Sequence, residues 1–382
     1  MTKLYLIRHA EAEGNLFRRM HGQYNSRLTE IGLRQVKLLA KRLAEIPFDA
    51  VYTSDLCRAR QTAEAVTATH GLTARPDPRL REVAVGPWEN RTFGDLELHE
   101  PEALEAFRHR PEEWRLDGAE TWADYSARFA AALRDAAEAH PGGTVAVFSH
   151  GCVSSGGLHR ILGIPHNSAG GDNTAVCLLR YEDGRFSADY LYDNSHLPAE
   201  LSSHARQRRW RELAGGSIHL WFREPTAADR DLYDPDFLPP AGHETRIAMR
   251  GNEPIGCVCW RGDTVSLLWL RADCRRFRLG DQLLGEAWMA MRASGQTMLR
   301  AGIPTANVDA ISFLAHHGAV PEQMDDAYTV LRLSLAVPYP VDQGSGTRDQ
   351  CGVPFVKDNL IRRGRFFLPS LLYCLLLYHP GG

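Results

Sequence analysis

Two short apolar runs in this chain end in histidine. Leu4-Tyr5-Leu6-Ile7 leads into Arg8-His9, and Thr144-Val145-Ala146-Val147-Phe148-Ser149 leads into His150-Gly151. A guanidinium and an imidazole at the mouth of a buried strand are costly unless something anionic sits there. Arginine suits phosphate because its planar fork can grip two oxygens. Histidine, with a reference pKa of ~6.5, can be neutral and nucleophilic near pH 7. The pair suggests phosphoryl transfer through a histidine. A third cation, Arg58, falls in the first turn of the helix expected after Ala50–Thr53, where it opposes the helix dipole. An anion held between Arg58 and that helix N-terminus would satisfy both. Taken singly, each residue is as readily structural: a strand-edge arginine, a hydrogen-bonded histidine, a surface cation. Their joint placement at strand ends, where open α/β sheets bind ligands, favours a phosphate site.

Strand ends can converge only on a parallel sheet with crossover helices, and residues 1–198 alternate strand and helix signals accordingly. Thr29 caps a helix reaching about Ile46, with Leu33, Val36, Leu39 or Ala40, and Leu43 on one face. Ser54 and Asp55 cap the helix carrying Arg58, Thr62, Ala63 and Val66. Trp122–His140 reads as an Ala-rich helix stopped by Pro141-Gly142-Gly143, and another helix is expected from Cys152. Thr174–Arg180 and Phe186–Tyr192 flank Glu182-Asp183-Gly184, a hairpin signal. Residues 199–216 read as a linker whose Arg206-Gln207-Arg208-Arg209 lies on a solvated helix face. A strand-rich second domain is expected over 217–337, and 338–382 form a tail of unassigned role.

The chain's 382 residues fit two domains, and its 44% apolar and 24% charged content is that of soluble globular protein. A net charge of -3 argues against a nucleic-acid binder. The eight cysteines include no CxxC pair. Cys257-x-Cys259 fits alternating strand positions better than a metal site, and a reducing cytoplasm is the expected location. The N-terminus shows no charged leader with a long apolar stretch, so no signal peptide is expected. Phe366–Tyr378 is apolar but broken by Pro369 and shorter than the ~20 residues of a membrane span.

With these residues in view, the chain resembles the histidine phosphatase superfamily, which includes cofactor-dependent phosphoglycerate mutases. The matching stretches are Leu6-Ile7-Arg8-His9-Ala10-Glu11 with Asn15; Leu28-Thr29-Glu30-x-Gly32; Ser54-Asp55-Leu56-x-Arg58-Ala59-x-Gln61-Thr62-Ala63; Leu80-Arg81-Glu82 with Gly86-x-Trp88-Glu89; and Ser149-His150-Gly151. Ala10 stands where the family usually has glycine, and Gly118-Ala119-Glu120-Thr121 matches the family's Gly-Glu-Ser stretch only loosely. The resemblance implies a three-layer α/β/α, phosphoglycerate mutase-like domain with a mostly parallel sheet. It implies His9 as the nucleophile that becomes phosphorylated, with Arg8, Arg58 and His150 on the phosphoryl oxygens. Asn15 is then a further donor, and Glu82 the acid that protonates the leaving alkoxide and later activates water. The cations would supply the stabilisation otherwise given by a metal, so no metal or cofactor is expected for this domain. Glu82 in a surface salt bridge with Arg79 or Arg81 is the reading without the resemblance. His21, Gln23, Tyr24 and Arg27 follow the nucleophile loop and can shape substrate choice or serve structure alone; Gln23 and Gly151 are taken as substrate-binding. The Leu-Arg-Glu stretch is of the phosphatase kind, so a phosphomonoesterase acting on a small phosphorylated metabolite is expected. A mutase, or a non-catalytic phospho-ligand sensor, is the alternative.

Farther along, Thr264–Asp273 reads as a strand, followed by Arg275-Arg276-Phe277-Arg278-Leu279-Gly280 and a helix over Asp281–Ala293. This resembles the acyl-CoA pyrophosphate loop of the GNAT N-acetyltransferases, a smaller mixed α/β fold. Arg223-Glu224-Pro225-Thr226-x-x-Asp229, a strand at Leu299–Ile303, and Asn307-x-x-Ala310-x-x-Phe313 with Gly318 extend the likeness. It implies acetyl-CoA binding by Arg275, Arg276, Arg278, Gly280, Asp281 and Asn307, and an acyl acceptor as partner. Arg278 replaces the loop's first glycine, and Leu314 stands where many members carry a proton-donating tyrosine. His316 or His317 could supply an acid, or form a surface pair at a helix end. A degenerate or regulatory domain is the other reading.

Overall fold

The computed structural model describes residues 1–166, 171–214, 216–232, 242–275 and 277–341. The chain divides into two compact units: residues 1–221 with 337–341, and a second unit beginning at Phe222.

The first unit is built on a six-stranded sheet of order β3-β2-β4-β1-β5-β6. Its strands are β1 (Thr2–Arg8), β2 (Ala50–Thr53), β3 (Ala74–Pro76), β4 (Thr144–Ser149), β5 (Val176–Glu182) and β6 (Arg185–Asp193). β3, β2, β4 and β1 run parallel, and the β5–β6 hairpin closes one edge antiparallel. Strand alternation sorts the core into two layers. Ile7, Val51, Ala146 and Phe148 face Leu39 and Leu43 of α2 (Glu30–Leu43) and Ala63 and Val66 of α3 (Cys57–His70), after the short α1 (Glu13–Phe17). Leu4, Leu6, Val145 and Val147 face the other way. Their neighbours there include α4 (Phe93–His99), α5 (Pro101–His109), α6 (Trp122–Glu138) and α7 (Gly151–Leu162).

Thr29 caps α2 through its hydroxyl, as the sequence implies, but Leu33 is 42% exposed. The buried stripe runs through Gly32, Gln35, Val36, Leu39 and Leu43 instead. Gln35 takes a core position because its amide is fully used, accepting from Glu11 N at 2.7 Å and donating to Leu201 O at 2.7 Å. Residues 199–216 are also more than a linker. They contain α8 (Ser203–Ala214), seated on the first unit by Ser203 N to Asp172 Oδ1 at 3.0 Å and by a buried ion pair between Arg206 and Glu11. Arg206 thus lies against the body of the unit, not on a solvated face. Residues 338–341 likewise belong to this unit: Asn25 donates to Tyr339 O at 2.8 Å, and the Arg60 guanidinium lies 4.1 Å from the Tyr339 ring.

The second unit carries a seven-stranded mixed sheet of order β12-β13-β11-β10-β9-β8-β7. Its strands are β7 (Trp221–Arg223), β8 (Glu244–Arg250), β9 (Glu253–Arg261), β10 (Thr264–Leu270), β11 (Met298–Pro304), β12 (Val320–Met324) and β13 (Tyr328–Ser334). Its helices are α9 (Leu279–Ala293) and α10 (Val308–Ala315). β10 and β11 are parallel and pair at Thr264–Arg300 and Val265–Ala301, while the antiparallel β10–β9 ladder shifts register between Val265 and Leu267. Cys257 and Cys259 are buried alternate residues of β9. The apolar run Phe366–Tyr378 lies outside the described residues. Among the described residues no helix is long and apolar enough to cross a membrane.

Candidate active site

The carboxyl ends of β1, β2 and β4 open onto a cavity of about 110 Å³ whose lining includes Arg8, His9, Asn15, Arg58 and Glu82. His9 is held on both sides. Its backbone N–H donates to Ser149 O at 2.9 Å, and Asn173 Nδ2 donates to its carbonyl at 3.0 Å. Its ring Nδ1 lies 2.7 Å from Ala10 O, which can only accept, so Nδ1 carries the proton and Nε2 keeps its lone pair. Burial, then Arg58 and Arg8, hold the His9 pKa well below the ordinary imidazole value. A neutral ring with a free Nε2 is the form a nucleophile needs.

Arg58 reaches the cavity from the first turn of α3. Its Nη1 donates to Tyr24 O at 2.9 Å, its Nη2 to Gly22 O at 2.7 Å, and its Nε to His150 Nδ1 at 3.1 Å. All these acceptors are neutral. Burial brings its pKa down to about 10, so it remains a cation at neutral pH. Gly22 must be glycine for this geometry, since a Cβ there would lie 2.3 Å from Val83 O. The anion expected between Arg58 and the α3 N-terminus finds that terminus occupied: Cys57 N donates to Asn25 Oδ1 at 2.8 Å and Leu56 N to Ser54 Oγ at 3.3 Å.

His150 stacks near His9, with ring centroids 5.1 Å apart. Both its nitrogens are engaged by protein, Nδ1 by Arg58 and Nε2 by Ser54 Oγ at 2.8 Å. Burial and Arg58 hold its pKa well below the ordinary value, so it too is neutral. In this arrangement it orients Arg58. Arg8 donates to the Gly171 carbonyl at 2.5 Å. Its guanidinium lies over the start of α7, where a Cβ on Gly151 would be 3.2 Å from Arg8 Cζ. Gly151 therefore makes room for Arg8, and it is not among the residues lining the cavity.

Glu82 is buried and makes no salt bridge with Arg79 or Arg81. Arg81 pairs with Asp55, and Arg79 with Asp77 and Asp135. The Glu82 carboxylate instead sits on the N-terminus of α7, accepting from Cys152 N at 3.0 Å and Val153 N at 2.7 Å, and from Val83 N at 3.0 Å. Helix N-termini favour such an anion. It is the sole carboxylate among the cavity-lining residues described. Arg128, paired with Glu120, clamps the loop segment that carries Glu82 by donating to the carbonyls of Arg79, Arg81 and Glu82. Asn15 lines the cavity and accepts Ala12 N on Oδ1 at 3.0 Å, so its NH₂ is not consumed there. Gln23, expected at the substrate, does not line the cavity. Its side chain bridges Glu82 O and Arg81, while its N–H and that of Tyr24 donate to Glu89. Arg27 pairs with Glu13 at 3.3 Å. His21 does line the cavity.

Sequence reasoning missed Arg18, Arg19, Asn173 and Arg128, and gave Glu89 no role beyond its motif. Asn173 precedes the hairpin with no motif around it. Arg18-Arg19 was visible as an adjacent pair of cations, yet nothing local marks it as buried.

In the second unit, Arg275 Nε donates to Leu270 O at 2.9 Å, and Arg276 lies outside the described residues. Arg278 adopts a left-handed backbone, φ 60°, and pairs with Asp281. Asp281 is 1% exposed and also meets His317 Nε2 at 3.1 Å. His317 is therefore a buried hydrogen-bond partner of Asp281, not a surface residue. Asn307 caps α10, accepting from Ala310 N at 3.1 Å. Gly280 packs against Phe313, and Leu314 lines a small apolar cavity beside β10 and β11, together with Val265, Leu268, Leu284, Ala301 and Ile303. No described residue of that lining is ionisable.

Comparison with known proteins gives the first unit its kinship. The family model described as histidine phosphatase superfamily (branch 1) matches residues 4–194. A probable phosphoglycerate mutase, GpmB, of Yersinia pestis is 36% identical over 165 residues, which are 43% of this chain and 77% of that protein. Among solved structures, Bacillus stearothermophilus YhfR is 32% identical with a TM-score of 0.49, covering 51% of this chain and 99% of that one. A mycobacterial glucosyl-3-phosphoglycerate phosphatase solved with VO3 is 26% identical, TM-score 0.47, over 50% of this chain and 99% of that one. With His9, Arg8 and Arg58 at one cavity, His150 bonded to Arg58 behind it, and the family model matched over residues 4–194, the chain belongs to the histidine phosphatase superfamily.

Proposed function

We propose that the first unit hydrolyses small phosphomonoesters through a phosphohistidine on His9, without a metal ion. The observation that carries this reading is the state of His9: buried, neutral, protonated on Nδ1 by virtue of Ala10 O, and facing a cavity lined by Arg8 and Arg58. His9 Nε2 attacks phosphorus as the ester P–O bond breaks, and Glu82, having taken a proton from the monoanionic ester, passes it to the departing alkoxide. Glu82 then takes a proton from water, whose oxygen displaces His9 and releases inorganic phosphate. Arg8 and Arg58 offset the charge that builds on the phosphoryl oxygens. The test is turnover of a generic aryl phosphate in excess chelator. Activity that survives chelation and vanishes in His9→Ala supports the reading; no turnover and no acid-labile phosphoenzyme contradicts it.

The likeness to a probable phosphoglycerate mutase favours a second reading, in which the phosphoryl group returns to a different hydroxyl of the same molecule. Product analysis with a phosphoglycerate separates the two: inorganic phosphate indicates hydrolysis, a positional isomer indicates transfer.

For the second unit, the mixed sheet, the parallel pairing of β10 with β11 and the loop leading into α9 support an acyl-CoA-binding, GNAT-like module. Against it stand Asp281, which already places an anion at the α9 N-terminus, and the apolar cavity, which is only about 20 Å³ and offers no proton donor. When bound, the cofactor supplies a thioester. Calorimetry with acetyl-CoA at millimolar concentration tests the site, and absence of heat refutes it.

A further inference from the structure

Arg18 closes α1 with a left-handed backbone, φ 56°. Such a residue at a helix C-terminus is commonly glycine or asparagine. Here it is an arginine only 8% exposed, and it lines the same cavity as His9. Its Nη2 donates to His219 Nε2 at 2.8 Å, and its Nε is buried without a partner. No carboxylate lies within ion-pair distance of it among the described residues. The His219 imidazole passes its Nδ1–H to Glu97 at 2.8 Å, and Glu97 is matched by Arg108 at 3.3 Å. The charge of Arg18 is therefore met only at longer range, by Glu97 and Glu11, and burial and nearby Arg211 bring its pKa down to about 10. The walls around it are Met20, Val83, Val85, Phe93 and Phe107, with the guanidinium 5.7 Å from the Phe93 ring. A buried cation held rigid by a neutral imidazole, with a donor to spare and no anion of its own, is a costly arrangement for stability alone.

We infer that Arg18 is a specificity residue, and that the substrate is a phosphomonoester whose leaving group carries a second anionic group, a carboxylate or a second phosphate, which Arg18 receives while Arg8 and Arg58 hold the phosphoryl group being transferred. The inference rests on the phosphatase reading above and names its substrate class. His219 is a positioning residue, fixing the direction of the guanidinium.

The experiment compares three esters with a common three-carbon primary alkoxide: 3-hydroxypropyl phosphate, 3-(phosphooxy)propanoate and propane-1,3-diol bisphosphate. Their leaving groups are of similar basicity, so differences in kcat/KM report recognition. A charge-assisted hydrogen bond makes the preferred acidic ester better than the neutral one by about ten- to a hundredfold. Whichever acidic ester leads identifies the anion. Arg18→Met brings the acidic-to-neutral ratio close to one, and Arg18→Lys keeps part of it. His219→Phe lowers the ratio through the KM of the acidic ester alone. A structural role for Arg18 would lower all three esters together and leave the ratio intact. Equal kcat/KM for the three esters in the unmodified protein, or a preference that survives Arg18→Met, overturns the inference. If no ester is hydrolysed the phosphatase reading fails, and calorimetry with the matching phosphonates reads the same ratio as affinity. Equal binding, or none, then overturns the role of Arg18 as well.

Discussion

Two arginines, each at the start of a helix, end in opposite electrostatic states. Arg58, in the first turn of α3, spends its donors on three backbone carbonyls and a neutral imidazole. Arg278, before α9, meets the buried carboxylate of Asp281, which His317 also faces. The first arrangement fixes a cation and leaves its charge to be used. The second consumes the charge within the fold. Buried charge without a counter-ion is expensive, so a protein keeps it where a ligand supplies the missing anion. By that criterion the cavity of the first unit suits an anionic ligand and the loop of the second does not.

The comparison can be broken most severely at His9. On the proposed mechanism His9→Ala removes the phosphoryl acceptor, and kcat is expected to fall by about 10⁴-fold or more, measured with an aryl phosphate. Arg58→Met should cost roughly 10²- to 10³-fold in kcat/KM, the loss of a preorganised donor to the transition state. Asp281→Asn removes the buried carboxylate that Arg278 and His317 both face. The second unit should lose about 1–3 kcal/mol, seen as faster hydrogen exchange in α9. If Asp281→Asn is neutral, the contrast between the two arginines is wrong.

The effect spread over the most residues is a pH slope. His9 and His150 are held well below the ordinary imidazole value, and burial brings His196 and His219 to about 4. In each case the unfolded chain, near ~6.5, binds the proton before the folded one does. The stability these groups contribute is therefore present above pH ~6.5 and is lost as pH falls toward their folded values, by up to about 1.4 kcal/mol per pH unit per histidine. Denaturant unfolding between pH 7 and 5 should show this fall, and His219→Phe should reduce the slope by one proton.

Much of the first unit was legible because its signals are local. Period-two apolar runs, the Thr29 cap and the stop after His140 each speak within a few residues, and the motifs around His9, Arg58, Glu82 and His150 lie at strand and helix ends. The rest depends on distant partners. Arg18 is buried because His219 arrives from 201 residues away. Leu33 is exposed because Gln35 has polar partners inside and takes its place in the stripe. Helices α4 and α5, split at Pro101, were not anticipated, since each is too short to show a periodic face, yet they supply Phe93 and Phe107 to the cavity. His317 reads as a surface residue until α10 brings it to Asp281. Gln23 sits in the right loop but turns to Arg81 and Glu82, a choice of rotamer that no spacing encodes.

The central claim is that His9 carries the phosphoryl group. The most direct measurement is a rapid acid-free quench of the protein with an aryl phosphate in excess chelator, followed by mass spectrometry of the intact chain and its peptides. The account predicts a phosphoryl adduct on the peptide containing His9, labile to acid, stable to base and absent from His9→Ala. Steady turnover with no adduct on His9, or turnover abolished by the chelator, would contradict it.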